Sequence, residues 1–147
     1  MNELQLLYQE VLLDHDRSPR NHGRLAAATG RAEGHNPLCG DRIAVEVQLE
    51  GDRLQKVAFE GTGCAISTAS ASLMTEAVAG HTQTEIAQLF DQFRKAVTGD
   101  PAADVEPLGK LAVLCGVKDF PMRVKCATLA WHTLIAALAG GGRVSTE

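Results

Sequence analysis

The sequence predicts a chain that mixes α-helices with an antiparallel β-hairpin, and three observations carry that reading. From residue 42 to residue 59, hydrophobicity alternates with period two over two runs, separated by the turn Glu50-Gly51-Asp52-Arg53. On either side of the hairpin, apolar residues recur at helical spacing, first over residues 4–15 and again after residue 64. Glycine and proline punctuate the joins, at Ser18-Pro19, Gly80, Gly99-Asp100-Pro101 and Gly140-Gly141-Gly142.

Each element has a local reason. Leu4, Leu7, Tyr8, Val11 and Leu12 form one stripe of a first helix over residues 4–15, which Ser18-Pro19 stops. Residues 16–30 read as an irregular connection, with a weak strand signal from Arg31 to His35. Ile43, Val45, Val47 and Leu49 alternate with Arg42, Ala44, Glu46 and Gln48, which predicts a strand with one buried and one wet face. Leu54–Phe59 is the return strand, with Val57 and Phe59 on one side. Gly61-Thr62-Gly63-Cys64 then leads into a helix over residues 65–79, whose many small residues suggest close packing on the sheet, and Gly80 closes it. Thr82 and Glu85 have the spacing of a capping box for the next helix, which carries Ile86, Leu89, Phe90, Phe93 and Val97 on its apolar face. A loop over residues 99–107 and a short helical piece around Leu108–Leu114 follow. The last helix runs from Pro121 or Val124 to Ala139, with Trp131, Leu134, Ile135 and Leu138 toward the core. The tail over residues 140–147 is expected to fray.

The bulk numbers set limits. At 147 residues, with 45% hydrophobic and 22% charged positions, the chain is large enough for one domain with a real core. Its net charge of −4 and the lack of a basic tract argue against nucleic acid as the main partner. No long uncharged apolar run and no export signal stand out, so a soluble, cytoplasmic protein without a membrane partner is expected. In a reducing compartment the four cysteines point to metal binding or thiol chemistry rather than to disulfides.

The most informative stretch is Asn36-Pro37-Leu38-Cys39-Gly40-Asp41. A thiol and a carboxylate flank one glycine, and in a turn both side chains can face one point. The hairpin brings its two ends together, so Cys39 and Asp41 should neighbour Cys64. Cys64 starts a helix, and Cys126 lies in the first turns of another, where the helix N-terminus favours an anionic ligand. Cys39, Asp41, Cys64 and Cys126 are therefore expected to converge on one metal ion. Three sulfurs and one oxygen satisfy the tetrahedral preference of zinc. Such a site carries a charge of about −2, and Arg42, Arg123 and Lys125, each beside a proposed ligand, are candidates to offset it. The single oxygen should make the site easier to open than a four-thiolate site.

Blander readings stand beside this one. Asp in a turn is common, a cysteine at a helix start is often only buried, and no C-x-x-C pair is present. Cys115 reads as packing. His35 is the one close rival ligand, whereas His132 sits at the wrong helical angle from Cys126. Without an HExxH helix or a histidine plainly paired with a cysteine, a stand-alone hydrolase has no machinery.

Taken together, Leu7-Tyr8 with Asp14-His15, Pro19-Arg20-Asn21, Asn36–Asp41, Gly61–Ser67 with Ala69–Ser72, and Pro121–Trp131 resemble the SufU branch of the IscU/NifU N-terminal family of iron–sulfur cluster assembly proteins. The resemblance runs from the first helix to the last. It implies an α+β fold, with a small three-stranded antiparallel sheet and helices packed mainly on one face. It also implies sulfur relay: a SufS-type, pyridoxal-phosphate-dependent cysteine desulfurase hands persulfide sulfur to this protein for downstream cluster-assembly proteins. A histidine of the desulfurase replaces one cysteine on the zinc, and by match that cysteine is Cys39, the sulfur acceptor. Asp41, Cys64 and Cys126 retain the Zn2+. Arg123 and Lys125 then take an electrostatic or docking role, against the alternative of plain solvated charges. The protein is thereby a sulfurtransferase-like partner rather than a stand-alone enzyme. The alternative is a scaffold for a transient [2Fe–2S] cluster on the same cysteines. Lys125 stands where scaffolds of the IscU type carry histidine, and the interval between Cys64 and Cys126 is longer than theirs, with the extra material between Phe90 and Leu108; both departures point to the SufU branch.

Overall fold

The computed structural model describes residues 3–145, with side chains from residue 6 onward. A first helix, α1 (Glu3–Arg17), leads through an irregular connection to three strands, β1 (Gly30–Asn36), β2 (Asp41–Glu50) and β3 (Arg53–Thr62). Helices α2 (Ala65–Val78) and α3 (Gln83–Thr98) follow, then a 3₁₀ segment (Glu106–Asp119), helix α4 (Pro121–Leu138) and a last strand, β4 (Gly142–Ser145). The strand order is β3-β2-β1-β4. β2 pairs antiparallel with both β1 and β3, whereas β4 runs parallel to β1.

The sheet is thus four-stranded and mixed, not the three-stranded antiparallel sheet expected. The added strand comes from the stretch expected to fray. Gly140, Gly141 and Gly142 all have positive φ, which lets the chain reverse after α4 and lay Gly142–Ser145 beside Ala32–His35. A side chain at Gly141 would press on the Arg31 carbonyl. Residues 146 and 147 of that tail lie outside the described residues.

One face of the sheet is apolar. Ile43, Val45 and Val47 of β2 and Val57 and Phe59 of β3 are buried with Leu73 and Met74 of α2 and with Leu129, Leu134 and Ala137 of α4. The opposite face is charged. Arg31 Nη1 meets Glu33 Oε1 at 2.9 Å, and its Nε lies 3.3 Å from Glu46 Oε2. The connection after α1 covers part of that face and edge: the Leu25 N–H donates to Glu46 Oε1 at 2.7 Å, and the backbone of Asn21 and Gly23 pairs with Phe59 on β3. This pairing occupies an edge that would otherwise be open to other chains.

Helix α4 lies directly on β1 because two glycines face it. A Cβ at Gly30 would collide with the Ala137 carbonyl, and one at Gly34 with Thr133 Oγ1. On the far side of α4, Trp131 is stacked against Phe90 and Phe93 of α3, at 5.5 and 5.1 Å between ring centres. Thr82 and Glu85 form the expected capping box, with hydrogen bonds of 3.2 and 2.9 Å.

Two packing expectations change. The buried stripe of α1 is Tyr8, Val11, Leu12 and His15, whereas Leu7 is 57% exposed and the Leu4 side chain lies outside the described residues. His15 continues the helical period, and burial holds its imidazole below the usual histidine range. Its Nδ1 is 2.6 Å from Ser72 Oγ, which also accepts the Arg20 N–H at 2.8 Å. The small residues of α2 accordingly serve neighbouring helices more than the sheet, for Ser70 Oγ donates to the Ala127 carbonyl of α4 at 2.5 Å.

The Gly34 contact generates a prediction. Gly34→Ala should lower unfolding stability by about 1–3 kcal/mol, read from the denaturant midpoint. An unchanged midpoint would mean that α4 does not need its close seat on β1.

Candidate metal centre

Three junctions of the fold supply four side chains. The first is the turn between β1 and β2. Asn36 and Asp41 face each other at the end of the ladder, and Pro37-Leu38-Cys39-Gly40 connects them. The Leu38 N–H donates to Asn36 Oδ1 at 3.2 Å, an Asx turn, and the Cys39 N–H donates to the Asn36 carbonyl at 3.3 Å. Gly40 takes φ of 73°, a left-handed conformation that a side chain would strain. The turn therefore presents Cys39 to solvent and sends Asp41 inward, where it is 0% exposed.

The second junction is the passage from β3 to α2. Arg42 pairs with Thr62, so the chain beyond Thr62 returns beside Asp41. The Cys64 N–H donates to Asp41 Oδ1 at 2.9 Å, and Cys64 Sγ lies 3.8 Å from Asp41 Oδ2. Gly63 permits this approach, since a Cβ there would stand 2.9 Å from Asp41 Oδ1. Cys64 is the N-cap of α2, and its sulfur accepts the Ser67 N–H at 3.4 Å. The third junction is the second turn of α4. It carries Cys126, 3% exposed, with Sγ 3.3 Å from Cys39 Sγ.

Three of the four side chains expected to meet do so, and Cys64 lies beside them without joining the tight group. One donor atom each from Cys39, Asp41 and Cys126 lies within 4.8 Å of the others, and Cys64 adjoins them through Asp41. The sulfurs are not joined, for a disulfide requires about 2.05 Å. Metal–sulfur bonds of about 2.3 Å and a metal–oxygen bond of about 2.1 Å imply tetrahedral edges of roughly 3.8 Å between sulfurs and 3.6 Å from sulfur to oxygen. The 3.8 Å from Cys64 Sγ to Asp41 Oδ2 lies close to its edge, and the 3.3 Å between the Cys39 and Cys126 sulfurs is about 0.5 Å shorter than theirs.

Charge makes the stronger argument for fit. Asp41 is fully buried and forms no ion pair among the described residues. A buried carboxylate is ordinarily paired or bound to a metal. Here its neighbours are thiols, which become good metal ligands on losing their protons. Burial first, then hydrogen bonding to Asp41 and to the Cys39 thiol, pushes the Cys126 thiol up from its ordinary range. The helix N-terminus does not overcome that burial. A divalent cation reverses the balance by favouring the thiolate and neutralising the carboxylate.

The flanking residues depart from expectation. Arg42 projects from the face of the sheet opposite Asp41, because successive strand residues alternate, so it does not offset charge inside the site. His35 sits across from Arg42 on that outer face and is no rival ligand. Arg123 is exposed, with its guanidinium 5.0 Å from the centre of the Phe120 ring. Lys125 is half-buried, and neither cation forms an ion pair among the described residues. His132 packs edge-on against Phe90, and Cys115 lies against the core, where burial raises its thiol pKa.

Asn36 and Gly63 were not singled out for their roles, although the Asn-Pro dipeptide and the glycines flanking Thr62 were visible signals. Asn36 is fully buried, and its Nδ2 has no hydrogen-bond partner. Two open grooves of about 650 and 810 Å3 lie between α2, α3 and the 3₁₀ segment and on the outer sheet face; none of the four converging side chains lines either. Of the four, Cys39 on the β1–β2 turn and Cys64 at the start of α2 are exposed to solvent.

Comparison with known proteins agrees with this architecture. Residues 7–127 match the NifU-like N-terminal domain family, and the chain belongs to it. It is 41% identical over 94% of its length to the iron–sulfur cluster assembly scaffold protein IscU of Streptococcus pyogenes serotype M1, covering 86% of that protein. It is 40% identical over 92% of its length to the zinc-dependent sulfurtransferase SufU of Bacillus subtilis, covering 92% of that protein. Among solved structures, a candidate cluster assembly scaffold for the SUF system from Fervidobacterium islandicum AW-1 superposes with a TM-score of 0.84 at 36% identity, over 91% of this chain and 98% of that one. The fold is therefore the α+β fold of iron–sulfur cluster assembly proteins of the IscU and SufU type.

Accessibility predicts an order of reactivity. In metal-free protein at neutral pH, iodoacetamide should label Cys39 and Cys64 first and Cys126 only after unfolding, as read by peptide mass. Equal rates at the three sites would contradict the burial of Cys126.

Proposed function

We propose that this protein is a zinc-dependent sulfur acceptor that takes persulfide sulfur from a cysteine desulfurase for iron–sulfur cluster assembly. The observation that supports this best is the asymmetry of the donor set. Cys39 is exposed on a short turn outside the strand ladder, Cys64 is exposed but tied to Asp41 and to the Ser67 N–H, and Asp41 and Cys126 are buried. One thiol can leave toward a partner while Asp41, Cys64 and Cys126 keep hold of the metal. Lys125 adds a second argument, since a lysine cannot replace the histidine ligand that scaffolds of the IscU type carry there.

Bound at Cys39, Asp41, Cys64 and Cys126, zinc would hold the thiols deprotonated and muted as nucleophiles. The chain's own contribution is positional. The Asx turn at Asn36 and the left-handed Gly40 hold Cys39 outward, and the Cys64 N–H fixes the orientation of the Asp41 carboxylate. Released Cys39 attacks the outer sulfur of the desulfurase persulfide. A bond forms between Cys39 Sγ and that sulfur, the persulfide S–S bond breaks, and the desulfurase cysteine leaves with the electron pair as a thiolate. Arg123 and Lys125, near the opening, favour anionic sulfur and partner docking.

A second reading is a scaffold on which a transient [2Fe–2S] cluster is assembled. It uses the same cysteines, and the relative named as an IscU scaffold is as similar as the one named SufU.

Metal and acid-labile sulfide analysis of the purified protein separates the two. The relay predicts about one zinc per chain and little iron, and near-stoichiometric iron with sulfide would favour the scaffold. Added to a cognate cysteine desulfurase, the wild-type protein should raise alanine release and Cys39→Ala should not. Undiminished stimulation by that variant would remove the acceptor role from Cys39. Asp41→Ala should retain zinc while lowering stimulation, because an all-sulfur remainder opens less readily. Complete loss of zinc would contradict the idea that oxygen ligation makes the site labile.

A further inference from the structure

Cys126 is out of place for a residue that only holds metal. Its sulfur belongs to a residue only 3% exposed, so the thiol of a docked protein cannot approach it, yet it lies 3.3 Å from the sulfur of exposed Cys39. That separation is within the range in which bound groups react. Cys64, by contrast, has Asp41 Oδ2 and the Ser67 N–H as its close polar neighbours and is itself exposed.

We propose that Cys126 is a resolving thiol, which cleaves a persulfide on Cys39 and releases its outer sulfur as sulfide. The inference rests on Cys39 carrying persulfide sulfur, as proposed above. Cys126 passes its proton to the Asp41 carboxylate with which it hydrogen-bonds, and its Sγ attacks the inner sulfur, Cys39 Sγ. A disulfide forms between Cys39 and Cys126, and the bond from Cys39 Sγ to the outer sulfur breaks. The outer sulfur leaves with the electron pair and takes up the thiol and persulfide protons, departing as hydrogen sulfide. It is reduced, and the two cysteine sulfurs supply the two electrons. No reductant outside the chain is needed for this one turnover.

The geometry selects both the attacker and the sulfur attacked. The persulfide's outer atom projects with Cys39 toward solvent, whereas the inner atom remains the Sγ that faces Cys126. Closing from 3.3 Å to a disulfide bond of about 2.05 Å requires about 1.3 Å of movement. Cys39 is in a short turn outside the strand ladder, where the backbone is not held by neighbouring strands. The product removes two of the four converging donors, so an external dithiol must reduce it before metal or sulfur is accepted again.

The test uses the full chain, zinc-loaded while the desulfurase sample is loaded and stripped of metal by chelation afterwards, and stripped of metal before loading in the polysulfide sample. One sample is loaded by a cysteine desulfurase with cysteine, and another by stoichiometric inorganic polysulfide. Sulfide is trapped with a bimane reagent, and peptides are mapped by mass without reduction. Both samples should release one sulfide per persulfide and yield the peptide pair linking Cys39 to Cys126. Cys126→Ser should keep the extra sulfur on Cys39 and lose release. Cys115→Ser, which removes a thiol packed against the core and leaves both the metal site and the reacting pair, should still release sulfide and form the link. A wild-type persulfide as persistent as that of Cys126→Ser, an extra sulfur found on Cys126, or equal loss in Cys115→Ser would each overturn the proposal. Resolution after polysulfide but no loading by the desulfurase would sink the relay reading and uphold this one; loading by the desulfurase without resolution would do the reverse.

Discussion

A single buried carboxylate ties the functional end of the molecule together. Asp41 opens β2, is fully buried, and accepts the backbone N–H that begins the approach to α2. That bond joins the start of β2, just after the turn bearing Cys39, to the β3–α2 junction bearing Cys64. It also leaves a buried carboxyl group that pairs with no lysine or arginine among the described residues. A cluster of thiols around such a group is poorly served by protons alone and well served by a divalent cation. Site geometry and local stability are thus coupled: the cation would stabilise the carboxylate that positions its other ligands.

The rest of the fold serves to bring α4 to that carboxylate. Gly30 and Gly34 remove the side chains that would lift the helix off β1, and Trp131 is pressed from behind by Phe90 and Phe93. α4 is consequently clamped between sheet and helix, and Cys126 is placed within the body of the protein rather than on a flexible arm. α2 is fixed in turn by Ser70 on α4 and by Ser72 on His15 of α1. Rigid elements therefore hold Asp41 and Cys126, and a short turn carries Cys39. This division suits a site in which one ligand must leave while the others stay.

Much of this was legible in the residues. Period-two alternation from Ile43 to Leu49 identified β2, and hairpin closure alone brought Asp41 near Cys64. What escaped was decided by packing. Three glycines ending α4 read as a terminator, but their positive φ angles turn the chain back to add β4. His15 lies on the buried stripe of α1, and its polar ring concealed it until Ser72 was seen as its partner. Arg42 could have been placed correctly from strand alternation, which sends it away from Asp41. The meeting of Cys126 with Cys39 depended on how α4 crosses the sheet, which spacing along the chain does not encode.

The central claim is that side chains from three junctions bind one cation through three sulfurs and one oxygen. Zinc-edge X-ray absorption on the zinc-loaded protein tests it most directly. The account predicts three sulfur scatterers at about 2.3 Å and one oxygen at about 2.0–2.2 Å. A shell of four sulfurs, which would bring in Cys115, or one dominated by nitrogen and oxygen would contradict it.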